Sequence, residues 1–338
     1  MGHRPVGRDT RGLRAEIANV MSGREEDKEH LKKKVKEKLL AAGALSVGIA
    51  EAKPVDKKAC MEYAHWLERG RNAGMTFMGN HRDIREDPRL LLEGAKSIIC
   101  MAFGYAAKER RGTGLPRISA YALLPDYHEW IKKRIREAGL NEILGEEHKD
   151  WRICVDSAPI MERYWAVKSG IAIRGDNGAA IIPGSGSEVF LAEIITTREV
   201  AADKETEDNC GHCGACMRAC PTGALRNDGT IDCDRCISYL TIEHRGEWIK
   251  PEHIEAMSTK EGKETLFGCD RCISACLHNR KGANKGHTPA PIETIVTLTP
   301  QKILEAPAEE LSSILKGSCL KRAKNAGIIR NASNLTTV

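Results

Sequence analysis

The sequence predicts an α+β protein in which an α/β layer precedes a cysteine-rich segment and a short helical C-terminus. Between residues 22 and 200, helical patterns alternate with short apolar strand patterns, which is typical of an α/β layer. Most of the thirteen cysteines lie between residues 210 and 276, and the residues after 300 follow a helical period. The expected divisions are a basic flexible tail over 1–21, the α/β domain over 22–200, the cysteine-rich domain over 201–285 and a C-terminal segment over 286–338.

Length and composition place the chain among ordinary globular proteins. With 338 residues, 41% of them hydrophobic and 29% charged, it can form a sizeable core divided among one to three domains. No apolar run approaches the roughly 18 residues that a membrane helix needs, and no apolar signal sequence is visible. Thirteen cysteines without an export signal indicate metal ligation in a reducing compartment, so we expect a cytoplasmic protein. The net charge of +5 mildly favours an anionic partner such as RNA.

The first helix is expected to begin at a capping box over 22–25 and to end at Gly43. Its apolar face would consist of Leu31, Val35, Leu39 and Leu40. Later helices are predicted over 58–68 and 87–93, and strands over 44–50 and 97–103. Cys60 and Cys100 fall within these patterns, far from any partner cysteine, so we interpret them as small buried hydrophobic residues.

Polar residues stand at the start of two later helices. The pattern alone favours a helix cap for Asp126, paired with Glu129, and a surface position for His128. A strand over 152–155 runs directly into Asp156, and a helix follows as far as Ser169. Acids at strand ends are often active-site groups in α/β folds, and a helix cap is the alternative for Asp156. A long buried strand is then predicted over 188–196, and the glycines before it form no dinucleotide-binding fingerprint.

The cysteines from 210 to 220 have the spacing C-x2-C-x2-C-x3-C-P, which is the ligand run of bacterial two-cluster ferredoxins. A second set repeats the arrangement after an insertion, with Cys236 as its distant first member. Crossed ligation would give one 4Fe–4S cluster the ligands Cys210, Cys213, Cys216 and Cys276, and the other Cys220, Cys236, Cys269 and Cys272. Structural zinc sites also use C-x2-C pairs, but the x3-C-P ending argues against zinc. Cys233 could compete with Cys236 as a ligand.

With these residues assembled, the chain resembles the epoxyqueuosine reductase family from about residue 30 to the C-terminus. The resemblance is strongest over residues 118–128, which contain Asp126-Tyr127-His128, and over 155–163, 236–243 and 268–272. It implies a nitroreductase-like α/β domain that binds cobalamin, joined to a ferredoxin-like domain with two 4Fe–4S clusters. It also implies an oxidoreductase of queuosine biosynthesis and tRNA processing, which reduces epoxyqueuosine to queuosine at the wobble position of tRNA.

The resemblance assigns roles to particular residues. Asp156 would be the catalytic proton donor beside the cofactor, and the cofactor-binding residues would be Asp126, His128, Asp156, Ser238 and Asp270. The expected partners are the anticodon stem-loop of tRNA and an external low-potential electron donor such as a ferredoxin or flavodoxin. The protein is expected to act as a monomer and to bind no membrane.

The chain departs from the family pattern in three places. Where the family usually has Gly-Trp-Ile-Gly-Lys-Asn, this chain has Ala172-Ile-Arg-Gly-Asp176-Asn177, and Cys276 is followed by Leu277 rather than by proline. Many members continue past the position of Asn334 into a HEAT-like helical repeat, which here would be truncated. Binding of tRNA would then rest on basic groups, with the candidates Arg235, His244, Arg245, Arg280, Lys281 and residues 321–324.

Two other functions stay open at this point. A paralogue could reduce another small substrate, for example by cleaving a carbon–halogen bond. A ferredoxin-like electron carrier could use its α/β domain only for docking. Corrinoid binding would separate both enzymes from the carrier, and the tRNA substrate would separate the two enzymes.

Overall fold

The computed structural model describes residues 10–105, 111–112, 114–279 and 288–336. The strands are β1 Ser46–Glu51, β2 Ser97–Gly104, β3 Arg117–Ile118, β4 Trp151–Cys154, β5 Ile173–Arg174, β6 Ala180–Ile181, β7 Val189–Thr196 and β8 Thr265–Phe267. The helices are α1 Thr10–Ala41, α2 Lys57–Glu68, α3 Arg82–Glu86, α4 Tyr127–Glu137, α5 Asn141–Leu144, α6 Glu162–Lys168, α7 Ala215–Ala219, α8 Ile237–Ile242, α9 Pro251–Ser258, α10 Lys260–Lys263, α11 Arg271–Ser274, α12 Glu293–Val296, α13 Pro300–Glu305, α14 Ala308–Leu315 and α15 Lys324–Thr336. Of the helices in these ranges, none has the length and apolarity needed to cross a membrane.

A four-stranded sheet in the order β1-β2-β7-β4 forms the centre of the first part, and each neighbouring pair of strands is antiparallel. β2 is buried along its whole length, and its side chains alternate between two cores. Ile99, Met101 and Phe103 pack in one core with Val35 of α1 and Ile131 of α4. The intervening residues of β2 pack in the other core with α6. The sheet therefore lies between two helical layers.

The first helix begins at Thr10, well before the predicted capping box at residues 22–25, so that predicted start is wrong. No proline lies between Pro5 and Pro54, and the sequence between them is rich in helix-forming residues, so nothing stops the helix near residue 22. Residues 1–9 of the predicted tail lie outside the described ranges. Leu40 is 46% exposed rather than part of the apolar face, because Leu39 beside it already occupies the core.

Three further expectations need correction. The predicted helix over 87–93 is only a short 3₁₀ turn over Pro88–Leu91, in which the Asp87 side chain accepts a hydrogen bond from the Arg89 amide. The helix expected from Pro159 onward begins at Glu162. The α/β layer is an antiparallel sheet with helices on both faces, so the strand-end rule that suggested a site at Asp156 does not apply, because it concerns parallel strands.

The cysteine-rich segment and the C-terminal helices share one core. β8 pairs in parallel with β3, and Phe267 of β8 packs in the same cluster as Ile118 of β3 and Ile303 of α13. The Ser119 hydroxyl accepts a hydrogen bond from the Cys269 amide at 3.0 Å. The residues that follow β3 are thereby held directly against the cysteine-rich segment, and the helices predicted after residue 300 are confirmed.

Two polar residues of α15 fasten the C-terminus to the end of α8. The Asn331 side chain is fully buried, and its Nδ2 donates to the carbonyl oxygens of Thr241 at 2.8 Å and Leu266 at 2.9 Å. Arg330 donates to the carbonyl oxygen of Leu240 at 2.7 Å and to that of Gly246 at 2.6 Å. These side chains satisfy backbone carbonyls that would otherwise be buried without partners.

Replacing Asn331 with Ala is expected to lower the free energy of unfolding by about 3 kcal/mol, because two buried carbonyl groups lose their donors. The matched control is Asn325→Ala on the same helix, whose hydrogen bonds to the Ala308 carbonyl oxygen and to Ser312 are more exposed, so a loss of under ~1 kcal/mol is expected. Urea titration followed by circular dichroism measures both. Equal midpoints for the two variants would contradict this account of Asn331.

Candidate active site and cysteine groups

A hydrogen-bonded chain of three side chains joins the first two polar motifs of the sequence. Asp126 is the N-cap of α4, and its side chain accepts from the His128 amide at 3.1 Å, so the predicted cap is present. The same carboxylate lies 2.7 Å from Nδ1 of the His128 ring, and Nε2 of that ring lies 3.1 Å from Oδ2 of Asp156. His128 thus bridges two carboxylates rather than standing free on the surface.

Asp156 follows β4 directly and has a left-handed backbone conformation, with φ of +52°. Such a conformation is unfavourable for a residue with a side chain and is kept only where surrounding contacts hold it. Here the Asp156 amide donates to Oε1 of Glu162 at 2.6 Å. The Asp156 side chain remains 58% exposed, whereas that of His128 is 28% exposed. The turn therefore presents a carboxylate to solvent while its backbone is fixed from behind.

The charges of Asp126, His128 and Asp156 stabilise one another. The hydrogen bonds of His128 to Asp126 and then to Asp156 raise the pKa of the imidazole to about 9. The hydrogen bond to His128 and a second one to Lys321 lower the pKa of Asp126, although its burial opposes them. Burial favours a higher pKa for Asp156, but the hydrogen bond and the charge of His128 outweigh it and lower the pKa. At neutral pH an imidazolium therefore lies between two carboxylates.

Asp270, between two cysteines of the second set, lies close to the same site. Its Oδ2 accepts the Ala120 amide at 2.7 Å. The next residue, Tyr121, is partly buried, and burial is the main cause of its raised pKa, to which the charges of Asp270 and Asp156 both contribute. The charges of both predicted aspartates therefore act on Tyr121. Ser238 is half-buried in α8, and its predicted cofactor contact stays a prediction.

Four cysteines from three separate segments are brought together and form what we call the inner cysteine group: Cys220, Cys236, Cys269 and Cys272. Burial, and then Cys236, Cys269 and Cys220, raise the pKa of the Cys272 thiol to about 12. Burial likewise raises the pKa of Cys269 to about 12, with Cys236 and Cys220 contributing. Four thiols this close repel one another as thiolates, and a bound metal cluster offsets that repulsion because thiolate is the ligating form.

The remaining predicted ligands form the outer cysteine group: Cys210, Cys213, Cys216 and Cys276. Nε2 of His278, just after Cys276, lies 3.2 Å from the carbonyl oxygen of Cys210, which ties the end of the second set to the start of the first. Burial is the largest cause of the raised pKa of Cys216, and its neighbour Cys213 contributes. Cys213 is exposed. Cys216 also contributes to the raised pKa of Cys272, so the two groups adjoin, and the division of the eight cysteines by crossed ligation stays a prediction.

Cys233 is more deeply buried than its neighbour Cys236, which packs against the same apolar cluster. It is 7% exposed and packs in an apolar cluster with Leu240, Ala256 and Met257. Burial raises the pKa of its thiol well above the usual range. These contacts favour a structural role for Cys233 and leave Cys236 in the inner cysteine group.

Two family models match the parts of the chain that contain these residues. Residues 85–157 match the family model "Epoxyqueuosine reductase QueG, DUF1730", and residues 209–279 match that of the "4Fe-4S double cluster binding domain". The chain is 34% identical over 302 residues to epoxyqueuosine reductase of Cellulophaga algicola, covering 88% of this chain and 95% of the relative. It is 38% identical over 289 residues to that of Cyclobacterium marinum, covering 84% and 90%.

The chain belongs to the epoxyqueuosine reductase family. Solved structures of epoxyqueuosine reductases share its fold: that from Streptococcus thermophilus is 25% identical with a TM-score of 0.77, covering 90% of this chain and 80% of the other. The structure from Bacillus subtilis, with its catalytic aspartate loop swung out of the active site, is 26% identical with a TM-score of 0.78, covering 90% and 81%. A third, bound to an epoxyqueuosine-modified tRNA stem loop, is 27% identical with a TM-score of 0.77, covering 90% and 80%.

The segment over 172–177, in which this chain departs from the family pattern, packs against the cysteine groups. Oδ1 of Asp176 lies 2.8 Å from Nδ1 of His212, and Asn177 donates to the carbonyl oxygen of Cys272 at 3.4 Å. Asp176, Cys210 and His212 offer ligand atoms within 4.8 Å of one another. Since Cys210 is a predicted cluster ligand, this trio is part of the outer cysteine group rather than a separate metal site.

Two basic residues of the run expected to bind tRNA make ion pairs near the Asp126–His128–Asp156 chain, and their contact with tRNA stays a prediction. Nζ of Lys321 lies 2.6 Å from Oδ2 of Asp126, and Nε of Arg322 lies 2.8 Å from Oε1 of Glu243. Both side chains remain about half exposed, at 58% and 52%. The basic run was visible in the sequence, but its carboxylate partners are distant in the chain and could not be identified there. Arg280 and Lys281 lie outside the described residues.

Sequence reasoning also missed the acids behind Asp156. Glu162 was part of a recognised motif without a role of its own, and Glu193 was taken simply as part of a buried strand. A single acid inside the otherwise apolar run over 189–196 was the available signal, because an unpaired carboxyl group is rarely buried in a sheet.

Proposed function

We propose that this protein is a cobalamin- and iron–sulfur-dependent reductase that converts epoxyqueuosine to queuosine at the wobble position of tRNA. The observation that carries the proposal is the Asp126–His128–Asp156 chain, which ends in an exposed carboxylate. Two relatives that this chain covers over 95% and 90% of their length are epoxyqueuosine reductases. The solved structure of another relative contains an epoxyqueuosine-modified tRNA stem loop.

The reaction defines what the residues must provide. Loss of the epoxide oxygen to leave a carbon–carbon double bond consumes two electrons and two protons and releases one water molecule. The site must therefore deliver electrons singly from outside, hold the epoxide carbon near a reductant and protonate the departing oxygen. A polar group that strengthens its interaction as negative charge develops on that oxygen accelerates the step.

Electrons would arrive through two 4Fe–4S clusters held by the two cysteine groups. The exposed Cys213 marks the outer group as the entry side for an external low-potential donor, such as a ferredoxin or flavodoxin. The inner group is adjacent to Asp270 and so to the Asp156 site. The order from donor to outer cluster to inner cluster follows from these positions, and we propose that a single chain suffices for it.

We propose that polar residues of the α/β domain and of the cysteine-rich segment together bind cobalamin. Asp126, His128, Asp156, Ser238 and Asp270 would hold it, and the half-exposed Asp156 carboxylate supplies a hydrogen-bonding group that has no backbone role. Cobalamin, when bound, supplies the strongly reducing cobalt centre that opens the epoxide. We also propose that the sheet domain is of the nitroreductase-like kind, and that the chain is divided near residues 200 and 285.

Proton delivery follows from the charges of the chain's own residues. In the resting site the mobile proton resides on His128, because Asp126 and Asp156 both hold the imidazole in its charged form. As negative charge grows on the substrate oxygen, Asp156 can pass on a proton that it takes from Nε2 of His128. Asp126, held by Lys321, then stabilises the correct ring orientation. The solved relative with its catalytic aspartate loop swung out supports the further proposal that the Asp156 turn moves in and out of the site.

Turnover is expected to fall as the pH rises through about 9, the raised pKa of His128, because the imidazole is then neutral and cannot resupply Asp156. Below pH about 9 the His128 imidazole carries its proton, so the fall in turnover that depends on this group (the alkaline limb) appears only on the alkaline side of the pH profile. His128→Gln should lower turnover at neutral pH by ~10-fold or more and remove the limb. His148→Gln, an exposed histidine on a turn, is the control that keeps it. Single-turnover rates between pH 6 and 10 measure the effect, and an unchanged limb in His128→Gln would contradict the relay.

The function is tested with anaerobically reconstituted protein, cobalamin, a strong reductant and an epoxyqueuosine-bearing anticodon stem-loop. Mass spectrometry should show the loss of one oxygen atom from the modified base. If the base is unchanged while the visible spectrum of cobalamin responds to the protein, the protein is a reductase of another substrate. If the cobalamin spectrum does not respond at saturating protein, the electron-carrier function replaces the proposal.

A further inference from the structure

Behind the Asp156 turn lies an acid that the proton relay does not use. Glu162 is the first residue of α6, and its Oε1 accepts the Asp156 amide at 2.6 Å. This bond holds the amide of a residue whose left-handed φ of +52° is unfavourable by itself. A carboxylate accepts such a bond about twice as strongly as a neutral group does. The charge on Glu162 therefore bears directly on how firmly the Asp156 turn is held.

A second acid, Glu193, lies deeper on the same side of the sheet. It stands on β7 opposite Cys100 of β2 and Cys154 of β4, and all three belong to the face that α6 covers. Glu193 is fully buried, and within the described part of the chain neither of its carboxyl oxygens has a hydrogen-bond partner. A carboxylate without any donor is strongly disfavoured in such a place, so Glu193 is an uncharged acid.

The charged and titratable groups around Glu162 come from five elements and the turn itself. Burial and then the charge of Asp156 raise the pKa of Glu162 to about 7, against the opposing hydrogen bond from the Asp156 amide and the charges of Arg163 and His128. The groups that face Glu162 are Asp156, Arg163, His128, Tyr127, Glu193, Cys154 and Cys100. Few of them are cationic, so the carboxylate of Glu162 has little support beyond the hydrogen bond that it accepts.

We propose that Glu162 is a positioning residue whose carboxylate clamps the Asp156 turn in its inward conformation, and that uptake of one proton by Glu162 loosens the clamp. Glu193 stays uncharged behind it. The proposal rests on the proposed function, since the inward turn is the one that presents Asp156 to the substrate. It adds to that function a control on how often the proton donor is in place.

The hydrogen bond from the Asp156 amide to Glu162 is expected to be stronger at high pH than at low pH. Above pH about 7 Glu162 is ionised and accepts strongly from the Asp156 amide, and below it the protonated acid accepts weakly. Protection of that amide against hydrogen exchange, corrected for the intrinsic pH dependence of exchange, should therefore rise roughly fivefold to tenfold from pH 6 to pH 8. No substrate is needed to see this.

The experiment is hydrogen exchange by mass spectrometry on the full reconstituted protein, using peptic peptides that span residues 155–161. Glu162→Gln keeps an acceptor oxygen but cannot ionise, so its protection should stay at the low value of the wild type at every pH. Glu129→Gln, which alters an exposed acid of α4 that lies 3.3 Å from Nζ of Lys132, is the matched control and should follow the wild type. Glu193→Gln should keep the wild-type midpoint, because it replaces a group that carries no charge.

The outcomes separate this inference from the function on which it rests. A wild-type protein that converts the modified stem-loop but shows pH-independent protection overturns the clamp and leaves the function standing. The predicted protection profile without conversion of the stem-loop supports the clamp and overturns the function. If Glu193→Gln flattens the profile as Glu162→Gln does, Glu193 is charged and the assignment of the two acids is wrong.

Discussion

Replacing Asp156 with Asn is expected to lower turnover by ~100-fold or more while the iron content and cobalamin binding are retained. The side-chain oxygen of the asparagine can still accept a hydrogen bond from His128, and the backbone N–H of residue 156 can still donate to Glu162, so the turn should keep its position. What the variant loses is the carboxyl group that passes a proton to the departing oxygen. Single-turnover conversion of the modified stem-loop, measured beside the iron content, tests this directly.

The control for Asp156→Asn is Asp150→Asn, an acid at the other end of β4 whose carboxylate accepts the Glu146 amide at 2.9 Å. That variant should turn over at close to the wild-type rate, because its acid holds a turn remote from His128. If Asp156→Asn kept most of its activity, Asp156 would be a structural residue only. His128, which carries the mobile proton, would then be the next candidate for the proton donor.

Replacing Cys272 with Ala is expected to remove one cluster, about half of the roughly eight irons of the reconstituted protein, and to abolish turnover. Cys272 belongs to the inner cysteine group, which is adjacent to Asp270 and the Asp156 site, so its loss breaks the last step of electron delivery. Cys216→Ala should remove the other half of the iron. Iron and sulfide analysis, with paramagnetic resonance of the reduced protein, distinguishes the two.

The matched control is Cys233→Ala, which should retain both clusters because Cys233 lies in an apolar cluster. Full iron in Cys236→Ala together with a loss in Cys233→Ala would reverse the assignment of these two cysteines. Stoichiometric zinc in protein purified without air would contradict the presence of iron–sulfur clusters altogether.

The spacing of residues within one segment can be read directly from the sequence. The run from Cys210 to Cys220 and the pair around Asp270 are local patterns, so the cysteine-rich segment could be located, and its family model matches residues 209–279. The Asp126 cap is local too, since it depends only on the amide of His128. The local sequence does not show that the Asp126 carboxylate also orients the His128 imidazole.

Pairings between distant segments could not be predicted in the same way. Lys321 lies far along the chain from Asp126, and Glu193 far from Glu162, so no periodicity or spacing connects them. The antiparallel order of the sheet is a further case, because alternating helices and strands are compatible with either direction of pairing. For the same reason Cys233 and Cys236 looked equivalent until their packing was known.

By itself, the sequence predicted the family and the two sets of cysteines, and the resemblance to that family singled out Asp126, His128 and Asp156, because all of these belong to short motifs of residues that are neighbours in the chain. Only the tertiary structure decided that His128 bridges the two aspartates, that Asp270 accepts the Ala120 amide and that Glu162 accepts the amide of the Asp156 turn. Hydrogen bonds and charge interactions act over a few ångströms, and the folding of distant segments sets which groups come within that range.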